Sequence, residues 1–486
     1  MVKSDLKADQ KKYGRTYTDR YVVNIILDLV GYSDGFIVGK HVIDNSCGDG
    51  AFLSEVVSRY CESAFHQGFS IDRVRNDLSF FIHGIDINPE SCNLCRRNLC
   101  TIAEKYGIYH VDFDIHCSNA LIDNSYDGKM DFVVGNPPYV RVHNLVESAK
   151  NMKHLSFTQR GMTDLYIAFF EVGLRMLNSN GRLGYITPSS YFNSLAGRYM
   201  RKYFVENRLL RKILDFKHSK VFYRVSTYTA ISILTKGNNL DEIEYFEFDE
   251  NSKSKVKISE LSSHQYFISG NFYFSTEGNL AILRRVFFNY GVCDVQVKNG
   301  YATLMDDVFV GDFNLKSEFI RPVVKASKGL FTEIIYPYDR YANLISERSL
   351  KQDRQLYSYL LERKDYLNRR SIRENDNFEW YAFGRRQGLK DTYKNKIALN
   401  PLIRTKFDLK LTFAPSGVGV YSGLYILCGN VNVEKIKKVL MSDEFEFYVS
   451  LLGKYKSGGY YSFSSKDVKA FLNYKLAYDK GVDYEK

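Results

Sequence analysis

The sequence predicts a doubly wound α/β domain followed by an α+β domain. In the first half, short apolar runs alternate with amphipathic stretches, and glycine-rich or acidic residues follow several of these runs. In the second half, the composition becomes more aromatic and more basic. Alternating strands and helices are typical of a parallel sheet with crossover helices. A chain of 486 residues is also long enough for two domains.

Six apolar runs in the first half have the length and the β-branched or aromatic content of buried strands. The segment DLYIAFFEVGLRML from Asp164 has instead the spacing of a helix that packs on a sheet. Ligands of such sheets bind at the carboxyl ends of the strands, so the residues after each run are candidates for a site. The runs are HVIDNS from His41, FFIHGIDIN from Phe80, MDFVVGN from Met130, GRLGYIT from Gly181, RKILDF from Arg211 and TYTAISILT from Thr227.

The domain boundary is predicted near residue 250, after the acidic residues from Asp241 to Glu250. Residues 1–250 contain 30 Lys and Arg against 30 Asp and Glu, whereas residues 251–486 contain 37 against 26. The whole net charge of +11 therefore lies in the second half. This uneven distribution of charge favours a neutral catalytic domain joined to a domain that binds a polyanion.

Composition favours a globular, cytoplasmic protein. No apolar run approaches the roughly 20 residues that cross a bilayer, and the polar N-terminus lacks the apolar core of a signal peptide. The eight cysteines are then expected to be reduced thiols. Cys92 and Cys95 form a CxxC pair, but no second pair follows at zinc-site spacing. These two cysteines are expected to pack against the sheet from a helix, and no metal is expected.

The strongest motif is Asn136-Pro137-Pro138-Tyr139, directly after the run MDFVVG. Two prolines stop the strand, fix the backbone and leave carbonyl oxygens that can accept hydrogen bonds from a ligand. The Asn136 side-chain oxygen and the Pro137 carbonyl can both accept from one planar amino group, such as that of adenine. These bonds favour a pyramidal nitrogen and stabilise positive charge during attack on a methyl sulfonium, so no tuned base is required.

Tyr139 supplies an aromatic face on which a target base can stack, a contact worth about 1–3 kcal/mol per base in single-strand binders. A base inside a duplex has to be flipped out of the stack to reach such a pocket. Taken alone, the segment could also be a proline-terminated strand followed by an ordinary loop. The residues that point to a cofactor weigh against that alternative.

A glycine-rich turn and an acidic strand end together predict an adenosyl cofactor. The turn DNSCGDG, residues 44–50, lies between the first run and a helix, and Gly48 and Gly50 permit a tight turn that closely approaches a ligand. The second run ends in GIDIN, where Asp86 can accept both hydroxyls of a ribose. Each feature alone is weak evidence, but their combination with the Asn-Pro-Pro-Tyr motif is specific.

The order of these motifs resembles the gamma class of adenine-N6 DNA methyltransferases, which contains the TaqI and PstI modification enzymes. The resemblance covers residues 13–235. It implies a Rossmann-like class I methyltransferase domain that binds S-adenosyl-L-methionine, residues 1–250, and a DNA target-recognition domain, residues 251–486. It also implies site-specific methylation of N6 of a flipped-out adenine, as the modification enzyme of a restriction-modification system.

The resemblance further implies roles for single residues. Thr18 resembles the threonine that contacts the methionine part of the cofactor, and Asp44 resembles the partner of its amino-acid moiety. Asn119 stands where the class usually has an aspartate that accepts from the cofactor's adenine amino group, which an amide oxygen can also do. Phe169 resembles the ring that packs on that adenine, and Phe222 resembles the aromatic that holds the flipped base. The implied cofactor residues are Thr18, Asp44, Ser46, Gly48, Gly50, Asp86, Ile87, Asn119, Pro138 and Phe169, and the implied catalytic residues are Asn136, Pro137, Tyr139 and Phe222.

A basic and aromatic segment between Arg363 and Lys390 is predicted to bind DNA. Guanidinium groups can contact phosphates or guanine edges, and aromatic rings can stack or wedge. The stretch from Trp380 to Arg385 also resembles a segment of recognition domains in this class. For any one of these residues, a solvated face over a small aromatic core stays open as the alternative. The candidates are Arg369, Arg370, Arg373, Trp380, Arg385 and Arg386.

Other functions stay open at this point. An Asn-Pro-Pro-Tyr motif also serves enzymes that methylate the glutamine N5 amide of release factors, but those are shorter and have no basic second half. RNA adenine-N6 methylation is a further alternative, and so is a non-catalytic DNA-binding homologue. Cytosine-N4 methylation is disfavoured because that class usually has Ser or Asp in place of Asn136.

The expected partner is double-stranded DNA. The second half contains no convincing carboxylate-carboxylate-lysine group, so a fused nuclease is not expected. Any restriction endonuclease that acts on the same site is expected to be a separate chain. The protein itself is expected to be a monomer, since it modifies one adenine per event.

Overall fold

The structure is a computed structural model, and it describes residues 18–33, 35–140, 152, 154–159, 164–219, 228–237, 240–370 and 379–477. The chain divides into two compact units, Met1–Ala281 and Ile282–Lys486. The boundary predicted near residue 250 is therefore too early. Two strands that include and follow the acidic run still belong to the sheet of the first unit.

The first unit contains a nine-stranded sheet whose strands are ordered 3-2-1-4-5-7-6-8-9. Strands 1 to 5 are parallel, and strand 7 runs antiparallel to both strand 5 and strand 6. This confirms the predicted doubly wound α/β class. The strands are β1 Val42–Asp44, β2 Ile82–Asp86, β3 Asp114–Cys117, β4 Met130–Gly135, β5 Leu177–Pro188, β6 Leu210–Asp215, β7 Thr229–Thr235, β8 Glu242–Asp249 and β9 Ser254–Ser262.

The six predicted runs correspond to β1, β2 and β4 to β7. The run from Phe80 begins as strand only at Ile82, because the preceding helix continues to Phe81. Strand β3 was not predicted, and β8 and β9 were not recognised as a continuation of the sheet. Strand β8 pairs in parallel with β6 and antiparallel with β9.

Several helices connect the parallel strands of the first unit, and the last helix given below, α8, continues across the boundary into the second unit. Ten of the twelve residues of the helix over Leu165–Met176 are buried, as the apolar segment from Asp164 predicted. Cys92 and Cys95 are also buried, on the helix that follows β2, and Cys92 Sγ lies 3.4 Å from the Asp86 carbonyl oxygen. The elements are α1 Arg20–Val30, α2 Ala51–His66, α3 Ile71–Phe81, α4 Pro89–Glu104, α5 Leu165–Met176, α6 Arg198–Glu206, α7 Ser263–Tyr266 and α8 Glu277–Phe287, the short strands β10 Phe267–Ile268 and β11 Asn271–Phe272, and the 3-10 helices Ser156–Thr158 and Ser189–Phe192.

The second unit is α+β, as predicted, with three small sheets ordered 12-19-15-17, 14-13-18 and 16-21-20. Much of its core is aromatic. The strands are β12 Gln296–Asn299, β13 Ile320–Lys325, β14 Leu330–Ile335, β15 Lys396–Leu399, β16 Leu402–Ile403, β17 Leu411–Ala414, β18 Gly419–Tyr421, β19 Leu424–Leu427, β20 Tyr455–Lys456 and β21 Tyr460–Ser462. The helices are α9 Asp306–Phe309, α10 Glu347–Leu350, α11 Arg354–Leu361, α12 Lys364–Asn368, α13 Val433–Leu440, α14 Asp443–Leu451 and α15 Ser465–Leu476, with 3-10 helices Leu389–Asp391 and Lys406–Asp408.

Within the described ranges, no helix is both long enough and apolar enough to cross a membrane.

Candidate functional site

The predicted site residues of the first unit follow neighbouring strands at one edge of the sheet. Strand β1 lies between β2 and β4, with Asp44 opposite Gly84 on one side and Val134 on the other. Because parallel strands end at the same edge, the turn after β1, Asp86 at the end of β2 and Asn136 after β4 come together. The carboxyl edge of β1, β2 and β4 is therefore the candidate site.

The turn over residues 44–50 is fastened to strand β2. The Cys47 amide donates to the Ile85 carbonyl at 2.9 Å, and the Gly48 amide donates to Asp86 Oδ2 at 3.0 Å. Gly50 has a φ of 88°, and a Cβ there would lie 2.8 Å from Cys95 Sγ on α4. At Gly48, with a φ of 55°, a Cβ would meet nothing within 4 Å. The left-handed backbone thus explains both glycines, and Gly48 borders open space.

Asp86 also has a structural role, which could not be predicted from the sequence. Besides the Gly48 amide on Oδ2, its Oδ1 accepts the Asn88 amide at 2.8 Å. Each carboxylate oxygen offers two acceptor positions, so Asp86 can still accept ribose hydroxyls. The next side chain, Ile87, is 57% exposed and presents an apolar surface beside that carboxylate. Asp86 therefore couples the shape of the turn to any ligand that it binds.

Asp44 is a buried carboxylate, 2% exposed, that accepts the Ser46 amide at 3.0 Å and has the Ser46 hydroxyl at 3.5 Å. Burial raises the pKa of Asp44 to about 7, and the negative charges of Asp86 and Asp49 add to that rise against the lowering effect of Ser46. A Cβ at Gly135 would lie 2.7 Å from Asp44 Oδ1, so β4 approaches this carboxylate closely. A cationic ligand group at Asp44 would favour its ionised form.

Asn136 is linked to the segment that precedes α1. Its side-chain nitrogen donates to Thr18 Oγ1 at 3.0 Å, and Thr18 is 4% exposed. The bond commits the amide nitrogen to Thr18, so the side-chain oxygen is the atom that can accept from a ligand. Two residues that the sequence assigned to different ligands, one to the cofactor and one to the target base, are therefore in direct contact.

Tyr139 is anchored by its hydroxyl, which donates to the Ile186 carbonyl on β5 at 3.2 Å. Its ring meets the Tyr166 ring edge-on, with 6.4 Å between the centroids. Burial raises the pKa of Tyr139 well above its ordinary value, so the hydroxyl remains a donor. The half-buried ring thus has a fixed orientation.

The remaining predicted residues of the first unit are placed as follows. Phe169 is 7% exposed on α5, and Pro137 is buried while Pro138 is half-buried. Asn119 Oδ1 accepts the Leu121 amide at 3.1 Å, so it closes the turn after β3 as well as offering an acceptor. Phe222 lies outside the described residues.

Sequence reasoning missed a buried pair beneath the site. The Tyr185 hydroxyl on β5 donates to Asn45 Oδ1 at 2.8 Å, and Asn45 Nδ2 lies 3.7 Å from Met176 Sδ. Both polar residues are buried. The pair ties the turn after β1 to β5 and α5. The sequence signal was only a polar residue inside the turn, which does not reveal its partner.

The DNA-binding candidates of the second unit fall into two groups. Arg369, Arg385 and Arg386 are exposed, whereas Arg370 and Trp380 are each 8% exposed. The guanidinium of Arg370 donates to the carbonyls of Leu367, Thr303, Ala382 and Trp380 at 2.8, 3.2, 2.6 and 2.5 Å.

The expected DNA contact of Arg370 is therefore corrected. Its donors are used inside the unit, where they hold the Trp380 to Ala382 segment, and the mostly buried Trp380 ring leaves little surface for DNA. Arg373 lies outside the described residues. Across the described ranges, no group of three or more His, Cys, Asp or Glu side chains could hold a metal ion.

Part of the first unit, from the end of α3 onward, matches a known protein family. Residues 81–222 match the family described as the Eco57I restriction-modification methylase. The chain is 24% identical over 488 residues to the type II methyltransferase M.BstVI of Geobacillus stearothermophilus, covering 90% of this chain and 86% of that protein. It is 30% identical over 215 residues to the type II methyltransferase M.HincII of Haemophilus influenzae, covering 41% of this chain and 42% of the relative.

Two further proteins that match this chain, one in sequence and one in fold, are longer than it. The type II restriction enzyme and methyltransferase RM.Eco57I of Escherichia coli is 23% identical over 532 residues, and the match covers 87% of this chain but 52% of that protein. The structure of the type IIL restriction-modification enzyme MmeI in complex with DNA superimposes with a TM-score of 0.64 at 12% identity. That match covers 95% of this chain and 64% of MmeI, and it shows a shared fold.

Proposed function

We propose that the chain, an Eco57I-like restriction-modification methylase with S-adenosylmethionine as its cofactor, methylates N6 of adenine at a specific site in DNA. The observation that carries the proposal is the contact between Asn136 and Thr18 at the carboxyl edge of the sheet. It brings the residue proposed to hold the target amino group next to a residue proposed to border the methyl donor.

The side chains at this edge suit the chemical groups of the cofactor. The buried carboxylate of Asp44 suits an ammonium group, because an opposite charge compensates the cost of burial. Asp86 suits the ribose diol, and the exposed Ile87 suits the adenine ring beside it. The open space at Gly48 allows the close approach of a ligand to the backbone. When bound, S-adenosylmethionine supplies a methyl group that is electrophilic because it is attached to a sulfonium.

The Asn-Pro-Pro-Tyr segment supplies acceptors for the amino group of the target. The Asn136 side-chain oxygen and the Pro137 carbonyl oxygen each accept one N–H of adenine N6. Two acceptors in this arrangement withdraw the lone pair from the ring and direct it towards the methyl donor. They also stabilise the positive charge that grows on nitrogen, and the surplus proton then passes to water without a dedicated base.

Tyr139 orients the target ring. Its hydroxyl is held by the Ile186 carbonyl, so the ring plane is set before the base arrives. A base can stack on it only after it has left the duplex, which makes base flipping part of the proposal. Phe222 is proposed to cover the opposite face of the base. In this scheme, catalysis comes from the orientation of the target base and from uncharged oxygens that accept hydrogen bonds from its amino group.

The second unit is proposed to recognise double-stranded DNA. It lies in the half of the chain that carries the whole positive excess, and Arg369, Arg385 and Arg386 are exposed for contacts with phosphates or base edges. The protein is proposed to be a monomer, because each catalytic event modifies one adenine and needs one active site. Any restriction endonuclease for the same site is proposed to be a separate chain.

Nucleoside mass spectrometry tests the proposal. Purified protein is incubated with unmethylated DNA and S-adenosylmethionine carrying a labelled methyl group, and the DNA is then digested to nucleosides. The expected product is labelled N6-methyldeoxyadenosine. The Asn136→Ala variant should bind the cofactor and form no product. Labelled N4-methyldeoxycytidine, or no labelled nucleoside from wild-type protein that binds the cofactor, would overturn the proposal.

A further inference from the structure

A tight loop in the second unit presents an arginine and a tyrosine to solvent. The loop, residues 339–343, is here called the Tyr341 loop, and it is closed at its base by an antiparallel bridge between Tyr338 and Leu344. Tyr341 is 70% exposed at its tip, and the Arg340 guanidinium lies 5.4 Å from the Tyr341 ring centroid. Within the described part of the chain, no carboxylate lies within ion-pair distance of Arg340.

The carboxylate of Asp339 fixes the shape of this loop. Its Oδ1 accepts the amides of Tyr341 and Asn343, each at 2.8 Å, and its Oδ2 accepts the Asn343 side-chain nitrogen at 3.0 Å. The Asp339 amide in turn donates to the Asn343 carbonyl at 2.9 Å. A loop tied in this way loses little further conformational entropy when its tip binds a partner.

The base of the Tyr341 loop rests on the segment that carries the exposed arginines. The Tyr338 hydroxyl accepts the Phe383 amide at 2.6 Å, and the Tyr381 hydroxyl donates to the Ile345 carbonyl at 2.8 Å. Burial raises the pKa of Tyr338, and the nearby positive charge of Arg386 opposes that rise. The base of the loop is therefore tied to the segment that leads into the exposed Arg385 and Arg386.

The loop offers an exposed arginine, which has no carboxylate within ion-pair distance among the described residues, and an exposed aromatic ring. Together they suit a polyanion that also offers flat rings. Guanidinium groups bind phosphate oxygens or the guanine edge, and a tyrosine ring stacks against a base or sugar. We propose that the Tyr341 loop contacts the DNA of the recognition site, through Arg340 and the ring of Tyr341. This inference rests on the proposed function, because it takes site-specific DNA as the substrate.

DNA affinity of the full chain tests the loop directly. The probe is a fluorescent duplex that contains the sequence the wild-type protein methylates, and anisotropy gives its Kd. Arg340→Ala and Tyr341→Ala should each raise the Kd about tenfold, as for loss of a DNA contact. The matched control is Arg354→Ala, which removes an exposed positive charge from helix α11 of the same unit. Equal losses in Arg340→Ala and Arg354→Ala would overturn the inference, since net charge alone would then explain both.

A pair of variants at Asp339 separates loop order from charge. Asp339→Asn removes the negative charge but keeps an oxygen for the amides of Tyr341 and Asn343, so DNA affinity should stay equal or rise. Asp339→Ala removes the same charge and all three accepted bonds, so affinity should fall severalfold although repulsion from DNA is reduced. A rise in affinity in both variants would contradict a role for the ordered loop.

Methylation kinetics distinguish failure of this inference from failure of the proposed function. Arg340→Ala should raise the KM for DNA and leave kcat unchanged, the pattern of a lost binding contact away from the reacting atoms. A wild-type chain that methylates its site, with an unchanged KM in Arg340→Ala, would overturn the loop contact alone. A wild-type chain that neither binds nor methylates DNA would overturn both.

Discussion

The side-chain nitrogen of Asn136 donates a hydrogen bond to the hydroxyl oxygen of Thr18, 3.0 Å away. The two residues are 118 positions apart in the sequence. One belongs to the segment before the first helix, and the other follows β4 at the centre of the sheet. Because the bond sets the orientation of the Asn136 amide, the position of the acceptor for the target amino group depends on Thr18.

Replacing Thr18 by valine should lower kcat about tenfold, because a catalytic amide that loses its positioning partner spends less time in the productive geometry. Valine keeps the shape of the side chain and removes the hydroxyl. Thr18→Ser restores the acceptor and should remain near the wild-type rate. Single-turnover methylation at saturating cofactor measures the effect. An unchanged rate in Thr18→Val would show that the hydrogen bond does not position Asn136.

Asp86→Asn should weaken cofactor binding by about tenfold, roughly the cost of one mispaired hydrogen bond at a partly buried site. The carboxylate accepts the Gly48 amide on one oxygen and the Asn88 amide on the other. An amide side chain keeps one acceptor and places an N–H against the second donor. Isothermal titration calorimetry measures the affinity. The control is Asp112→Asn, which makes the same charge change at an exposed position and should bind the cofactor normally.

The affinity for the cofactor should rise between pH 6 and pH 7 as Asp44 ionises. Burial first, then neighbouring carboxylates, raises the pKa of Asp44 to about 7 in the free protein. Below that pH the carboxyl is mostly protonated, while the ammonium of the cofactor favours the ionised form. At pH 6 the α-ammonium of the free cofactor is already protonated, so binding there should release about one proton, from Asp44.

Calorimetric titrations in buffers of different ionisation enthalpy count those protons. Asp44→Asn should bind the cofactor weakly and release no proton at pH 6. Equal proton release at pH 6 in the wild type and in Asp44→Asn would assign the titration to another group.

Arg370→Ala should lower the free energy of unfolding by about 2–4 kcal/mol, because buried carbonyl oxygens lose their donors. The neighbouring Arg369 is exposed and provides the matched control. Arg369→Ala should leave stability unchanged. Urea denaturation of both variants measures the difference. If Arg370→Ala is as stable as Arg369→Ala, the guanidinium does not hold the Trp380 to Ala382 segment.

The elements that could be predicted from sequence are the strands that are buried on both faces of the sheet, because such strands are continuous runs of apolar residues. Strands β1, β2 and β4 to β7 are short apolar runs, and their carboxyl ends carry the predicted residues. Strand β3, with the sequence DIHC, escaped prediction because its polar side chains are used in contacts that only the fold creates. His83 Nδ1 and the Tyr126 hydroxyl, for example, both reach Asp114 Oδ2, at 2.6 and 2.9 Å.

The boundary was misplaced for a related reason. Strand β9 is the edge strand and β8 lies beside it, between β6 and β9; both alternate charged with apolar residues, and the acidic residues of β8 marked the point where the composition changes. Arg370 was misread because a buried arginine that binds backbone carbonyls has the same sequence appearance as an exposed one. The contact between Thr18 and Asn136 could not be predicted either, since it joins segments distant in the chain.

Modified-base sequencing of the genome of a methylation-deficient bacterial host tests the central claim most directly. One culture expresses the wild-type chain, and a second expresses Asn136→Ala at the same level. The account predicts N6-methyladenine at one short sequence throughout the genome with the wild type, and none with the variant. N6-methyladenine at the same sequence in the Asn136→Ala culture, or no modified adenine in the wild-type culture despite cofactor binding by the purified protein, would contradict it.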